Sequence, residues 1–281
     1  MPAWIEIQDV RKNIDDFRLG PINLNIEPGT ITALVGNNGS GKSTLLKLIM
    51  NLANLDGGAI RVLGKLVDGN DEGWKRHVTF QPQKQVGWNA YKGHELKELI
   101  APLYTKWDDR LFGRMIELFD IPLDKRFGKM SPGMQQKLSL SLALPRGTDI
   151  LILDEPTASL DIPSKALFMD LLVDWMEQED RAVVLTTHQP EDLRKLADYL
   201  FLMRDGKPAG LYEKDVLATT YRRYWISGMP ADTLPGELSR SGNELISDNP
   251  DATEQYLLEH GIDAIDNKLL ELEEIISLLL K

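Results

Sequence analysis

Apolar and polar side chains alternate over residues 3–9 and 21–27, as in Trp4-Ile5-Glu6-Ile7 and Ile22-Asn23-Leu24-Asn25-Ile26. That period of two predicts a pair of half-buried antiparallel strands joined by a loop. Thr30-Ile31-Thr32-Ala33-Leu34-Val35 is unbroken, apolar and β-branched, and reads as a buried strand. Leu45, Leu46, Leu48, Ile49 and Leu52 then recur at helical spacing. Asp56-Gly57-Gly58 is a turn, Ala59–Leu66 gives one or two short strands, and His77–Phe80 another. Gln81-Pro82-Gln83 closes that strand, because proline supplies no ladder N–H.

From about 91 to 144 the period becomes helical. Glu95, Leu96, Leu99 and Ile100 mark one helix, and Leu111, Met115, Ile116 and Phe119 a second. Ser131-Pro132-Gly133 opens a third, with a hydroxyl residue suited to the N-cap and proline suited to the first helical position; Leu138, Leu140, Leu142 and Leu144 lie within it. Strand character returns at Ile150–Leu153, followed by Asp154-Glu155-Pro156. A helix over 163–177, a strand at Ala182–Leu185 ending in Thr186-Thr187-His188, a helix over 190–197 and strands at Tyr199–Met203 and Pro208–Tyr212 complete the run. Such alternation predicts an α/β fold with a largely parallel sheet covered by helices.

Beyond about 220 the pattern breaks. Pro230, Pro235, Gly236, Gly242 and Pro250 punctuate a polar, acidic stretch. Ile262, Ile265, Leu269, Leu272, Ile276 and Leu279 then step by three and four, which predicts one apolar helical stripe packed on its own chain, or alternatively a dimer seam.

Composition narrows the function classes. With 42% hydrophobic and 27% charged residues over 281 positions, the chain has the balance of a soluble globular protein with ample core for one large domain or two. It has no cysteine, hence no disulfide or thiolate metal site. The N-terminus lacks the basic-then-apolar order of a signal peptide, and no apolar run is long enough to span a bilayer. Net charge is −11, concentrated in residues 213–281, where 14 acidic residues face 6 basic ones. A phosphate backbone is a poor partner for such a chain, so no nucleic-acid partner is expected.

The candidate chemistry begins with Gly36-Asn37-Asn38-Gly39-Ser40-Gly41-Lys42-Ser43-Thr44, set between the Thr30–Val35 strand and the helix that follows. Glycines let such a loop turn its N–H groups inward, and a helix start adds positive potential for phosphates. Lys42 would reach the terminal phosphates and the Ser43 hydroxyl would ligate Mg²⁺. Four apolar residues place Asp154 and Glu155 at the end of a second buried strand. There Asp154 would hold the cation opposite Ser43, and Glu155 would take a proton from an attacking water. His188 ends a third strand of the same sheet, whose carboxyl edge is where ligands gather.

The order of these segments resembles that of an ATP-binding cassette ATPase: the phosphate loop, Pro82-Gln83, Ser131-Pro132-Gly133-Met134-Gln135-Gln136, Leu153-Asp154-Glu155-Pro156, Ser159-Leu160-Asp161 and Thr187-His188. The resemblance covers residues 1 to about 215. It implies a P-loop NTPase (RecA-like) core over 1–83 and 146–220 with an antiparallel β subdomain. It further implies a helical subdomain at about 84–145 and a C-terminal extension over 221–281. It implies that Gln83 links core to helical subdomain and contributes to both metal site and catalysis. Ser131 and Gly133 then cap the ATP of a partner subunit, Asp161 belongs to the loop between the two sites, and His188 is the switch histidine beside Glu155. ATP and Mg²⁺ are the implied ligands. The implied partners are a second cassette, identical or not, and a separate transmembrane permease, with the chain cytoplasmic and peripheral on the inner face of the membrane.

Two departures stand out. Met130-Ser131-Pro132-Gly133-Met134 replaces the usual Leu-Ser-Gly-Gly-Gln, a variant similar to ABC-2-type exporters of antibiotics and bacteriocins, as is the stretch Tyr104-Thr105-Lys106-Trp107-Asp108. Where the family often stacks adenine on an aromatic ring, this chain offers Ile14, with Phe17 nearby. The expected function is ATP hydrolysis coupled to export; a soluble cassette ATPase that powers macromolecular assembly is the alternative.

Overall fold

A computed structural model describes residues 2–69, 71–177 and 180–281. The chain divides into two compact units, Met1–Gly210 and Leu211–Lys281.

In the first unit β1 (Ile5–Ile14) and β2 (Phe17–Ile26) pair antiparallel. They are longer than the alternation predicts, and only Asp15-Asp16 separates them, so the expected loop is a tight turn. The cause is a register shift between Ile7 and Val10, where Asp9 takes φ 49°; the extra residue breaks the period of two while pairing continues. After β3 (Ile31–Val35) comes α1 (Lys42–Ile49), then β4 (Gly57–Val62) and β5 (Lys65–Leu66), giving a first sheet in the order β2-β1-β4-β5. α1 buries Leu45, Leu46 and Leu48 completely, each contributing about 2 kcal/mol. Its stripe does not reach Leu52, which is 61% exposed: the helix has ended at Ile49, and Asn51 turns the chain with φ 52°.

The second sheet follows from β6 (Val78–Gln81). Between it and the next strand the chain is helical: α2 (Gly93–Ile100), α3 (Asp109–Leu118) and α4 (Pro132–Ala143). Leu138, Leu140 and Leu142 are all fully buried, because residues two apart on a helix face different ways and α4 is enclosed on several sides. β7 (Ile150–Asp154), α5 (Ile162–Met176), β8 (Ala182–Thr186), α6 (Pro190–Leu196), β9 (Tyr199–Arg204) and β10 (Lys207–Glu213) complete it. The strand order is β10-β9-β3-β8-β7-β6, with β9, β3, β8, β7 and β6 mutually parallel. β3, β7 and β8 are buried along their whole length, which is why they read as unbroken apolar runs. Parallel strands put all their carboxyl ends on one edge of the sheet, and the site is built there.

The second unit holds α7 (Lys214–Thr220), β11 (Arg222–Ile226), β12 (Glu237–Ser241), β13 (Glu244–Ser247), α8 (Pro250–Glu259), β14 (Ala264–Leu269) and α9 (Leu272–Leu279). Its antiparallel sheet runs β12-β13-β11-β14 over a core of Tyr224, Ile226, Leu234, Leu245 and Leu257. α7 packs on β14 and α9, so the compact division lies ahead of the compositional break near 220. The single helical stripe expected over 262–279 is not present. Gly261 takes φ 63° after α8, and residues 264–269 extend as an edge strand on β11, leaving Ile265 and Leu269 exposed. Only then does α9 start, with Glu271 and Glu274 forming a capping box and Leu272 and Ile275, rather than Ile276, turned inward.

Candidate functional site

The loop between β3 and α1 owes its shape to close approaches. A Cβ on Gly36 would sit 2.1 Å from the Met203 carbonyl oxygen, and one on Gly41, at φ 102°, 2.6 Å from Leu19. Only glycine fits either place. Lys42 opens α1 and is buried; its ammonium donates to the carbonyl oxygens of Gly36 at 2.7 Å and Asn37 at 3.1 Å, crossing back over the loop. Ser40 Oγ is buried with no protein partner, so the loop retains an unspent hydroxyl in its interior. Burial lowers the Lys42 pKa, opposed by Glu155 and Asp154.

Across the sheet edge, β7 ends at Asp154. Its Oδ1 accepts from Ser43 Oγ at 3.1 Å and from Thr186 Oγ1, at the end of β8, at 2.7 Å. The same Thr186 oxygen accepts the Glu155 backbone N–H at 2.9 Å, so one hydroxyl joins the ends of two neighbouring strands. Glu155 leaves the strand in the left-handed region, φ 51°. That turn brings its Oε1 to 3.0 Å from His188 Nε2. Burial raises the Glu155 pKa above the ordinary carboxylate value; Lys42 pulls it down and Asp154 pushes it further up. Burial and then Lys42 lower that of His188. The lowered pKa favours the neutral imidazole, which lies 3.0 Å from the Glu155 carboxylate.

These groups face a cleft of about 680 Å³. Of the residues singled out in the sequence, Asn38, Gly39, Gly41, Lys42, Ser43, Thr44, Gln83, Glu155 and His188 line it, as do Ile14 and Phe17 at the apolar end. Asp154 lies behind Ser43, and Gly36, Asn37 and Ser40 shape the loop. Ser131, Gly133 and Asp161 do not line this cleft. Ser131 caps α4, its Oγ accepting the Met134 N–H at 3.3 Å. Gly133 lies so close to Ser159 that a Cβ would come within 2.8 Å of its carbonyl oxygen. Asp161 caps α5 through the Ser164 N–H at 2.9 Å and holds Lys137 of α4 at 3.0 Å, which together keep its carboxyl far below the usual range. Gln136 of α4 donates to the Pro156 carbonyl oxygen at 2.7 Å. The start of α4 is thus fastened to the loop that follows Glu155. Thr157, Lys165, Thr186 and Asp192 were not legible in the sequence; they carry no motif, and only the fold places them behind the cleft.

An inward-turned glycine loop, a lysine and an unspent hydroxyl suit a triphosphate, and the hard oxygens of Ser43 and Asp154 suit a divalent cation that keeps most of its water. A parallel sheet with this loop after one strand and a carboxylate pair after another defines a P-loop nucleoside triphosphatase.

The chain belongs to the ABC transporter family of ATP-binding subunits, which are ATPases. The family model for ABC transporters matches residues 19–158. The zinc uptake system ATP-binding protein ZurA of Listeria innocua is 32% identical over 204 residues, covering 67% of this chain and 77% of that protein. The ABC transporter ATP-binding protein YtrB of Bacillus subtilis is 28% identical over 218 residues, 77% of this chain and 74% of its own. A Nod factor export ATP-binding protein I from Burkholderia thailandensis is 28% identical over 223 residues, 73% and 69% respectively. Among solved structures, an ATP-binding subunit of an ABC transporter superposes with a TM-score of 0.69 over 76% of this chain and 92% of its own, at 22% identity. A dimeric ATP-binding cassette with bound ADP and Pi superposes with a TM-score of 0.64 over 74% and 98%, also at 22% identity. These likenesses establish the fold. No helix among the described residues is long and apolar enough to cross a membrane.

Proposed function

We propose that this chain is the ATP-hydrolysing subunit of an ABC-2-type exporter, dimerising around two MgATP and driving a separate membrane subunit from the cytoplasmic face. The observation that carries the chemistry is the Glu155–His188 contact of 3.0 Å at the wall of the phosphate cleft. Glu155, its basicity raised by burial, accepts a proton from a water as the water oxygen bonds to the γ-phosphorus. The bond to the β,γ-bridging oxygen breaks, leaving ADP and phosphate. Neutral His188 orients the Glu155 carboxylate and reaches toward the γ-phosphate. Lys42 gives up its carbonyl contacts for phosphate oxygens. Ser43 and Asp154, with Gln83 at the cleft wall, would hold Mg²⁺, which supplies charge neutralisation of the triphosphate.

The dimer is supported by Ser131 and Gly133, which lie outside their own cleft although they match the signature that caps a partner's ATP in the family, and by Asp161, which matches the loop between the two sites. A cassette dimer among the structural neighbours supports it too. Export is supported by the Met130-Ser131-Pro132-Gly133 variant and by the Nod factor exporter among the relatives, while ZurA serves zinc uptake. The test is sedimentation of Glu155→Gln with MgATP, MgADP and no nucleotide, together with its steady-state hydrolysis. We expect a dimer with MgATP, less with MgADP, and turnover lowered about a hundredfold or more. Turnover like that of the wild type would remove Glu155 from the mechanism, and association indifferent to nucleotide would remove the ATP-bridged dimer.

A further inference from the structure

Behind the cleft lies a buried charge pair that the chemistry above does not use. Asp192, on α6, is 1% exposed, and its Oδ1 is 2.9 Å from the ammonium of Lys165 on α5. Its other oxygen, Oδ2, accepts two hydroxyls: Thr187 Oγ1 at 2.8 Å and Thr157 Oγ1. Thr187 immediately precedes His188, and Thr157 lies two residues beyond Glu155. Thr187 Oγ1 also accepts the Gln189 N–H at 3.0 Å, which fixes the turn on the far side of His188. One carboxylate oxygen therefore joins the segment leaving β7 to the segment leaving β8. None of Thr157, Lys165, Thr187 and Asp192 lines the nucleotide cleft.

Stability alone is a weak reason for this arrangement. Desolvating a carboxylate and an ammonium costs several kcal/mol each, roughly what their attraction returns, so a buried pair contributes little net stability. A buried polar network does specify geometry, because displacement leaves its groups without the partners they have. The geometry specified here is the distance between the two loops that present Glu155 and His188. On the strand side, Thr186 ties Asp154 to the Glu155 backbone. On the loop side, that work falls to Asp192.

We propose that Asp192 is a positioning residue for ATP hydrolysis, holding Glu155 against His188 through the hydroxyls of Thr157 and Thr187, with Lys165 orienting its carboxylate. The proposal rests on the catalytic reading of Glu155.

The experiment measures kcat, ATP affinity by fluorescence titration, and melting temperature for the full chain and its Asp192→Asn, Thr157→Val, Thr157→Ser and Glu155→Gln variants. We expect kcat to fall about tenfold or more in Asp192→Asn and Thr157→Val, with ATP affinity held within about twofold, because the reacting groups are displaced while the phosphate loop is untouched. Thr157→Val leaves the Asp192–Lys165 pair in place, so its fold is secure even if Asp192→Asn is weakened. Thr157→Ser restores the hydroxyl and should restore turnover to within about twofold of wild type. Wild-type kcat in both Asp192→Asn and Thr157→Val, with Glu155→Gln inactive, would overturn the proposal. A loss of ATP affinity matching the loss of turnover would overturn it as well. Turnover surviving in Glu155→Gln would remove the catalytic reading itself, and the positioning role with it.

Discussion

Ser43 and Asp154 stand 111 residues apart in sequence and 3.1 Å apart in space, the serine hydroxyl at the start of α1 donating to the carboxylate that ends β7. The contact exists because β3 and β7 flank β8 in one parallel sheet, so the segments leaving their carboxyl ends open onto the same edge. Asp154→Ala should lower turnover about a hundredfold or more and abolish the gain in ATP affinity that Mg²⁺ gives. Nucleotide titrations with and without Mg²⁺ check it; a variant whose affinity still rises with Mg²⁺ would leave Asp154 without a metal role.

The pH dependence of turnover has a defined sign. Glu155 must be ionised to accept a proton, and burial raises its pKa. Activity is then fully present above that raised value and is lost as pH falls through it, at a higher pH than an ordinary glutamate would give. A kcat profile flat down to the ordinary glutamate range, near about 4.3, would contradict this. Burial and Lys42 lower the His188 pKa, which favours the neutral imidazole.

Gly36→Ala tests the loop. Its Cβ would have to displace the Met203 backbone, 2.1 Å away, or the loop itself. We expect ATP affinity to fall about tenfold or more, which corresponds to about 1.4 kcal/mol of binding free energy. Isothermal titration measures it, and unchanged affinity would mean that the loop binds no phosphate in this form.

Much of this site was legible in the sequence, and the reason is local. A buried strand, a glycine loop and a helix start follow one another without interruption around Lys42, and an apolar run of four announces Asp154 and Glu155. Helical spacing alone misled where tertiary pairing took over. Ile262 to Leu279 fits one helix on paper, but hydrogen bonding to β11 turns residues 264–269 into an edge strand. The bulge at Asp9 hid the true length of β1, since an added residue inverts the phase of every later side chain. Asp192 was invisible for another reason: its partners Thr157, Lys165 and Thr187 converge only once three elements have packed.

Ser131→Arg, placed in the Glu155→Gln background, should block the MgATP-dependent dimer while leaving nucleotide binding by the monomer intact. The substitution removes the hydroxyl at the start of α4 and adds a bulky charge where a second subunit would meet it. Sedimentation with MgATP decides between this and a dimer indifferent to Ser131.

In the second unit, Leu272 is 5% exposed at the first turn of α9. Leu272→Asp puts an unpaired carboxylate into that apolar setting and should destabilise the unit by about 3 kcal/mol or more. A thermal melt indistinguishable from wild type, accompanied by loss of dimerisation, would reassign this face to an interface between subunits.

The backbone at Glu155 carries a consequence for how this position can change. Its left-handed conformation, its enclosure and the like charge of Asp154 each disfavour an ionised glutamate there. An asparagine accepts that backbone more readily and brings no charge. Glu155→Asn should therefore melt above the wild type while hydrolysing almost no ATP. On the proposed role of Glu155, selection for robustness alone would erode this residue, and a demand for turnover would retain it.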